Sequence, residues 1–154
     1  EKDRSALGDY EVPMNENCSQ REFLAHAAIE ATKTLGVAGI ITDSLTGETV
    51  RHLAAFRGPN PILAICYKEK TQRWLNLSFG VIPVHQKEHA PAAYMFTAAL
   101  RMLRQKGYIG SDDKIAYLSG SFGLGNPTGT TFLEINKVSQ VFDKSYEFHL
   151  PNKE

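Results

Sequence analysis

Val37-Ala38-Gly39-Ile40-Ile41-Thr42, followed by Asp43-Ser44-Leu45-Thr46-Gly47-Glu48-Thr49, decides how this chain folds. The first part is a short uncharged run bounded by polar turn residues, the pattern of a strand buried on both faces of a parallel sheet. Behind it a helical pattern passes through Val50, Leu53 and Phe56 and stops before Gly58-Pro59. The unit reads as strand, small polar loop, helix.

The same rhythm continues on both sides. Upstream, Ser19-Gln20-Arg21-Glu22 fits a capping box, which starts a helix over about 19 to 35, with Phe23, Ala27, Ile29, Glu30, Ala31 and Leu35 near helical spacing and Gly36 as its stop. Downstream come a buried strand at 62 to 66, a short helix near 69 to 76 and a strand at Gly80-Val81-Ile82-Pro83-Val84. A longer helix then runs from Pro91 to Lys106, its apolar stripe being Ala92, Met95, Phe96, Ala99, Leu100 and Leu103, and Gly107 ends it. Such alternation predicts βαβ units with right-handed crossovers. Lys114-Ile115-Ala116-Tyr117-Leu118 and Thr131-Phe132-Leu133-Glu134-Ile135 read as two more strands, joined by a loop too short for a crossover helix. They are expected to pair as an antiparallel hairpin. Residues 1 to 17 read as a linker, 18 to 138 as the domain, and 139 to 154 as an extension whose pattern places no element.

Composition narrows the function. The chain has 154 residues, with 17 Lys+Arg balanced by 17 Asp+Glu, so there is no global basic excess for binding nucleic acid. Hydrophobic residues at 42% permit a core, and no apolar run is long enough to span a membrane. The start at Glu1-Lys2-Asp3-Arg4 has no initiator Met or apolar leader, which suggests a fragment. Two cysteines, Cys18 and Cys66, in unlike surroundings read as reduced cytoplasmic thiols.

Three motifs bear on chemistry. His85-Gln86-Lys87-Glu88-His89 matches the H-x-x-E-H zinc pattern, but it follows a strand directly and precedes Ala90-Pro91, where a helix that would bring both imidazoles together is not expected. The loop Gly120 to Gly129 lacks the spacing of a dinucleotide motif and the Lys of a P-loop, and reads either as an ordinary hairpin loop or as a loop able to close over an anion. Ser44-Leu45-Thr46-Gly47-Glu48-Thr49 places three hydroxyls and a Gly beyond the carboxyl end of a buried strand, at the start of a helix. That is a place for a phosphate. Equally, Ser44 or Thr46 there does no more than cap the helix. Asp112 and Asp113 read as solvated charge, Asp43 as a loop-fixing residue, Trp74 as core, and Arg101 and Arg104 as the polar side of the long helix.

The order of these pieces resembles the C-terminal regulatory domain of pyruvate kinases. The resemblance rests on Ala25-His26-Ala27-Ala28-Ile29-Glu30-Ala31, Gly39-Ile40-Ile41-Thr42 with its Ser/Thr/Gly loop, and Phe56-Arg57-Gly58-Pro59-Asn60-Pro61-Ile62. Thr71-Gln72-Arg73, Gly80-Val81-Ile82-Pro83, Ser119-Gly120 and Thr128-Gly129-Thr130-Thr131 follow in register, so that about residues 20 to 137 are covered. The resemblance implies an α/β domain of three α/β/α layers around a five-stranded mixed sheet, four strands parallel and the last antiparallel. It implies a tetramer and a catalytic barrel upstream, which would hold magnesium and potassium, with no cofactor and no catalytic residue in this chain. It also implies a phosphorylated effector whose phosphate rests on Ser44, Thr46, Gly47 and Thr49, while Gly123, Gly125, Thr128 and Gly129 close over it. Glu48 stands where a basic residue is frequent, and Glu88 to Met95 supplies neither Trp nor Arg. These departures favour a sugar monophosphate or nucleoside monophosphate over a bisphosphate. Two rival readings are a free-standing phosphosugar protein of isomerase type, with Glu48 or His52 as base, and an interface domain that binds no ligand.

Overall fold

The computed structural model describes residues 14–44, 46–56, 58–86, 92–120 and 130–147. Helix α1 (Gln20–Thr34) starts at the expected capping box: Ser19 Oγ accepts the Glu22 amide at 3.2 Å and the Glu22 carboxylate accepts the Ser19 amide at 2.7 Å. Gly36, at φ +65°, follows the C-cap Leu35 and turns the chain out of the helix. Of the expected α1 stripe, Ile29 and Ala31 are buried, but the rest of the buried face differs. Phe23 and Leu35 are half-exposed, and the helix rests on Ala25, Ala28, Ile29 and Thr32. These mostly small side chains let its axis come close to the sheet, a preference that large apolar residues at helical spacing do not reveal.

The strands are β1 (Val37–Ser44), β2 (Ile62–Cys66), β3 (Val81–His85), β4 (Lys114–Gly120) and β5 (Thr130–Lys137). They form one sheet in the order β3-β2-β1-β4-β5, with β5 antiparallel to β4 and every other pair parallel. The expected mixed sheet of four parallel strands and a final antiparallel one is therefore present. Pro83, which has no amide hydrogen, sits in the edge strand β3.

Between the strands lie α2 (Glu48–Ala55), α3 (Glu69–Leu75) and α4 (Ala92–Gln105). One core, with Ile40, Val50, Leu53, Ile62, Leu75 and Leu118, fills the space between the sheet and α1 to α3. The other, with Ile41, Leu63, Leu100, Leu103 and Tyr117, lies under α4. The layers are thus α/β/α. Of the expected α4 stripe, Ala99, Leu100 and Leu103 are buried and Phe96 packs against them, whereas the side chains of Ala92 and Met95 lie outside the described set.

Past Val138 the sequence pattern places no element, yet the chain forms α5 (Val138–Glu147). Val138 is fully buried, and Val141 and Phe142 pack on the α4 core. Arg101 and Arg104 of α4 are exposed, as expected, and their guanidinium groups lie 6.0 and 5.8 Å from the Phe142 ring. Asp112 is exposed, but Asp113 is more than solvated charge: its carboxylate accepts the Gly110 amide at 2.7 Å and fixes the turn into β4. Both cysteines are free thiols. No helix among the described residues is long and apolar enough to cross a membrane.

Candidate functional site

In a sheet of order β3-β2-β1-β4-β5 the chain winds away from β1 in one direction through β2 and β3, then returns to the other side at β4. The crevice outside the carboxyl ends of β1 and β4 is the topological switch point, where open α/β sheets hold their ligands. Asp43 and Ser44 end β1 there, and Ser119 and Gly120 end β4.

Ser44 is buried, and its Oγ accepts the Gly47 amide at 2.6 Å, closing a tight turn before α2. Gly47 is the N-cap residue, with φ +83° in the left-handed region, and no side chain caps the helix. Of the two readings open in the sequence, simple capping by Ser44 or Thr46 is therefore not what this terminus shows. Thr46 is exposed and Thr49 buried in the first turn. The sequence-derived residues Ser44, Thr46, Gly47 and Thr49 are thus gathered around one open helix end, whose amides and dipole favour negative charge.

Glu48 does not stand alone at this end. Arg21 of α1 forms an ion pair with its carboxylate, so its negative charge is offset by a neighbouring guanidinium. One turn on, His52 Nδ1 lies 3.9 Å from the Glu22 carboxylate of α1. The hydrogen bonds from Ser19, with a smaller contribution from His52, hold the Glu22 carboxyl below the usual carboxylate range. Both base candidates of an isomerase reading are thus drawn toward α1.

On the α3 side the site meets Trp74. The sequence suggested a core tryptophan, but the ring is 47% exposed. It lies where a side chain on Gly47 would touch it, and the Arg51 guanidinium stacks 4.6 Å from its centroid. The apolar body of the ring is covered by glycine backbone and a cation rather than by the core.

Asp43 plays a larger part than loop fixing. Its side chain projects on the sheet face opposite to Ser44, where one oxygen accepts Ser119 Oγ at 2.7 Å and the other accepts the Tyr67 hydroxyl at 3.2 Å. Burial, and then the Asp43 charge, push the Tyr117 phenol up to about 12. The signal for this cluster is a carboxylate that ends the central apolar strand at the switch point, a position meaningful only once strand order is known.

Gly123, Gly125, Thr128 and Gly129 lie outside the described residues, as do Glu88 and His89 of the H-x-x-E-H pattern. His85 ends β3 opposite Cys66. Among the described residues no group of three or more His, Cys, Asp or Glu could hold a metal ion.

The sheet with helices on both faces defines a three-layer α/β domain with an uncapped turn at its switch point. Residues 22–135 match the family model "Pyruvate kinase, alpha/beta domain", and the chain belongs to that family. The pyruvate kinase of Borreliella burgdorferi is 33% identical over 123 residues, which are 79% of this chain and 26% of that protein. The pyruvate kinase of Lactobacillus delbrueckii subsp. bulgaricus is 29% identical over 122 residues, 77% of this chain and 21% of that protein. The structure of Cryptosporidium parvum pyruvate kinase in complex with ADP superimposes with a TM-score of 0.73 at 21% identity, covering 81% of this chain and 25% of that one, a likeness of fold. This chain therefore spans about a quarter of the length of the relatives it matches.

Proposed function

We propose that the chain is the regulatory and oligomerisation domain of a pyruvate kinase and binds a phosphorylated effector without catalysing a reaction itself. The parent reaction would be phosphoryl transfer between phosphoenolpyruvate and ADP, carried out in the cytoplasm by an upstream barrel that also holds magnesium and potassium. The observation that carries the effector reading is the Ser44–Gly47 turn: it leaves α2 without a side-chain cap at the switch point of the sheet. Ser44, Thr46, Gly47 and Thr49 would hold the phosphate of a sugar phosphate or nucleoside monophosphate, and Gly123, Gly125, Thr128 and Gly129 would close over it. With no net charge on the chain, recognition relies on these amides and hydroxyls.

Regulation follows from linkage. An effector that binds the active homotetramer better than its inactive form shifts the population by that difference in affinity and by nothing else. Isothermal calorimetry of this chain with glucose 6-phosphate, ribose 5-phosphate and AMP tests the reading, and saturable binding of one of them is expected. No heat and no thermal shift at millimolar concentrations would sink it and leave an interface domain.

A further inference from the structure

Among the described residues, no Lys, Arg or His forms an ion pair with Asp43, although the side chain is half-buried. A carboxylate withdrawn from water is normally matched by a cation or by several donors. Here two neutral hydroxyls, those of Ser119 and Tyr67, each take one oxygen. A carboxylate has room for about four acceptor contacts, so acceptor capacity remains on both oxygens. Its place is also telling: Asp43 directly precedes Ser44 on β1, and its partner Ser119 stands one residue before the end of β4. A ligand that rests an anion on the α2 terminus and crosses the end of the sheet onto the α4 face would meet this carboxylate.

We propose that Asp43 determines specificity at the effector site, accepting hydroxyl or amine donors of a monophosphorylated ligand and repelling a second phosphate. The inference rests on the effector reading above. It replaces Glu48 as the source of discrimination, since the Glu48 charge is offset by Arg21 whereas no cation among the described residues pairs with Asp43. Like charges a few ångströms apart in a partly dehydrated crevice cost affinity steeply, while a hydroxyl in the same place gains a charge-assisted hydrogen bond.

The test uses glucose 6-phosphate and fructose 1,6-bisphosphate as probes, with Kd measured by calorimetry on the wild-type chain, Asp43→Asn and Ser119→Ala. Asn keeps the shape and can still pair with both hydroxyls, so a thermal melt checks that it folds. Wild type is expected to prefer the monophosphate, and Asp43→Asn to move the ratio of the two Kd values at least about tenfold toward the bisphosphate. Ser119→Ala retains the charge and is expected to keep the ratio within about twofold. A wild-type preference for the bisphosphate overturns the proposal whether or not the variant folds. So does an unchanged ratio in Asp43→Asn, or an equal shift in Ser119→Ala, which would assign the effect to anchoring of β4 rather than to charge. Binding of neither probe, nor of ribose 5-phosphate or AMP, removes the effector reading itself and this inference with it.

Discussion

The guanidinium of Arg51 lies 4.6 Å from the centroid of the Trp74 ring, and the same ring sits against Gly47 at the start of α2. Trp74 is the chain's one tryptophan, so its emission reports on the turn at which the phosphate is proposed to rest. Arg51→Ala is expected to shift that emission and to cost about 0.5–1 kcal/mol, the usual size of an exposed cation–π contact. For a domain of this size that is a fall in Tm of about 1–4 °C. Emission and Tm both unchanged in Arg51→Ala would show that the stack does not persist in solution.

Gly47 and Ser44 hold one turn by different means. At φ +83° any other residue is strained, and a Cβ on Gly47 would come within 3.3 Å of the Trp74 ring and 3.4 Å of Leu75. Gly47→Ala is expected to cost about 1–2 kcal/mol. Ser44→Ala leaves the Gly47 amide without its acceptor, at about 1–3 kcal/mol. Because both changes damage the same turn, the double variant should lose measurably less than the sum in urea denaturation. Strict additivity would mean that the Ser44 hydroxyl and the Gly47 conformation do not depend on one another.

Legibility from sequence followed the range of the interactions involved. The capping box at Ser19 and Glu22 and the helix behind Gly47 are set by contacts a few residues apart, and the strand at Val37, although paired with distant β2 and β4, shows in its continuous run of buried residues; each was readable. The loop residues Ser44, Thr46, Gly47 and Thr49 were readable as a group because they are consecutive. Trp74, α5 and Asp43 were not. Trp74 lies at the surface, where its ring meets Arg51 of another helix rather than the core. Helix α5 is placed by Val138, Val141 and Phe142 on α4, three apolar anchors amid polar residues too sparse to give a period. The partners of Asp43 are Tyr67 and Ser119, brought in by strand order alone.

Tyr117 makes stability depend on alkaline pH. Its phenol is raised from 10.0 to about 12 in the folded protein, chiefly because burial disfavours the phenolate. A raised folded value means that the native state holds the proton more tightly. The associated stability is thus complete below pH 10 and lost as pH rises toward 12. Two units correspond to about 2–3 kcal/mol. Tyr117→Phe should show a correspondingly flatter fall in unfolding free energy across that range. If variant and wild type lose stability in parallel there, Tyr117 is not held in the environment that the Asp43 cluster and the α4 core create.

Cys66 offers a chemical measure of the β2 core. It is fully buried, and loss of hydration pushes its thiol from 9.0 to about 11, whereas Cys18 is half-buried just before α1. Since the thiolate is the reactive species, a thiol reagent at pH 8 is expected to modify Cys18 promptly and Cys66 only after opening of the structure. The Cys66 rate then tracks the population of open molecules when reclosing outpaces labelling. A ligand that binds only the folded state lowers that population by the factor 1 + [L]/Kd. A phosphate ester at one hundred times its Kd should therefore slow Cys66 labelling about a hundredfold and leave the Cys18 rate unchanged. Equal native rates at the two thiols would contradict the buried position of β2. Slow Cys66 labelling that no phosphate ester retards would leave the fold standing and count against the effector site.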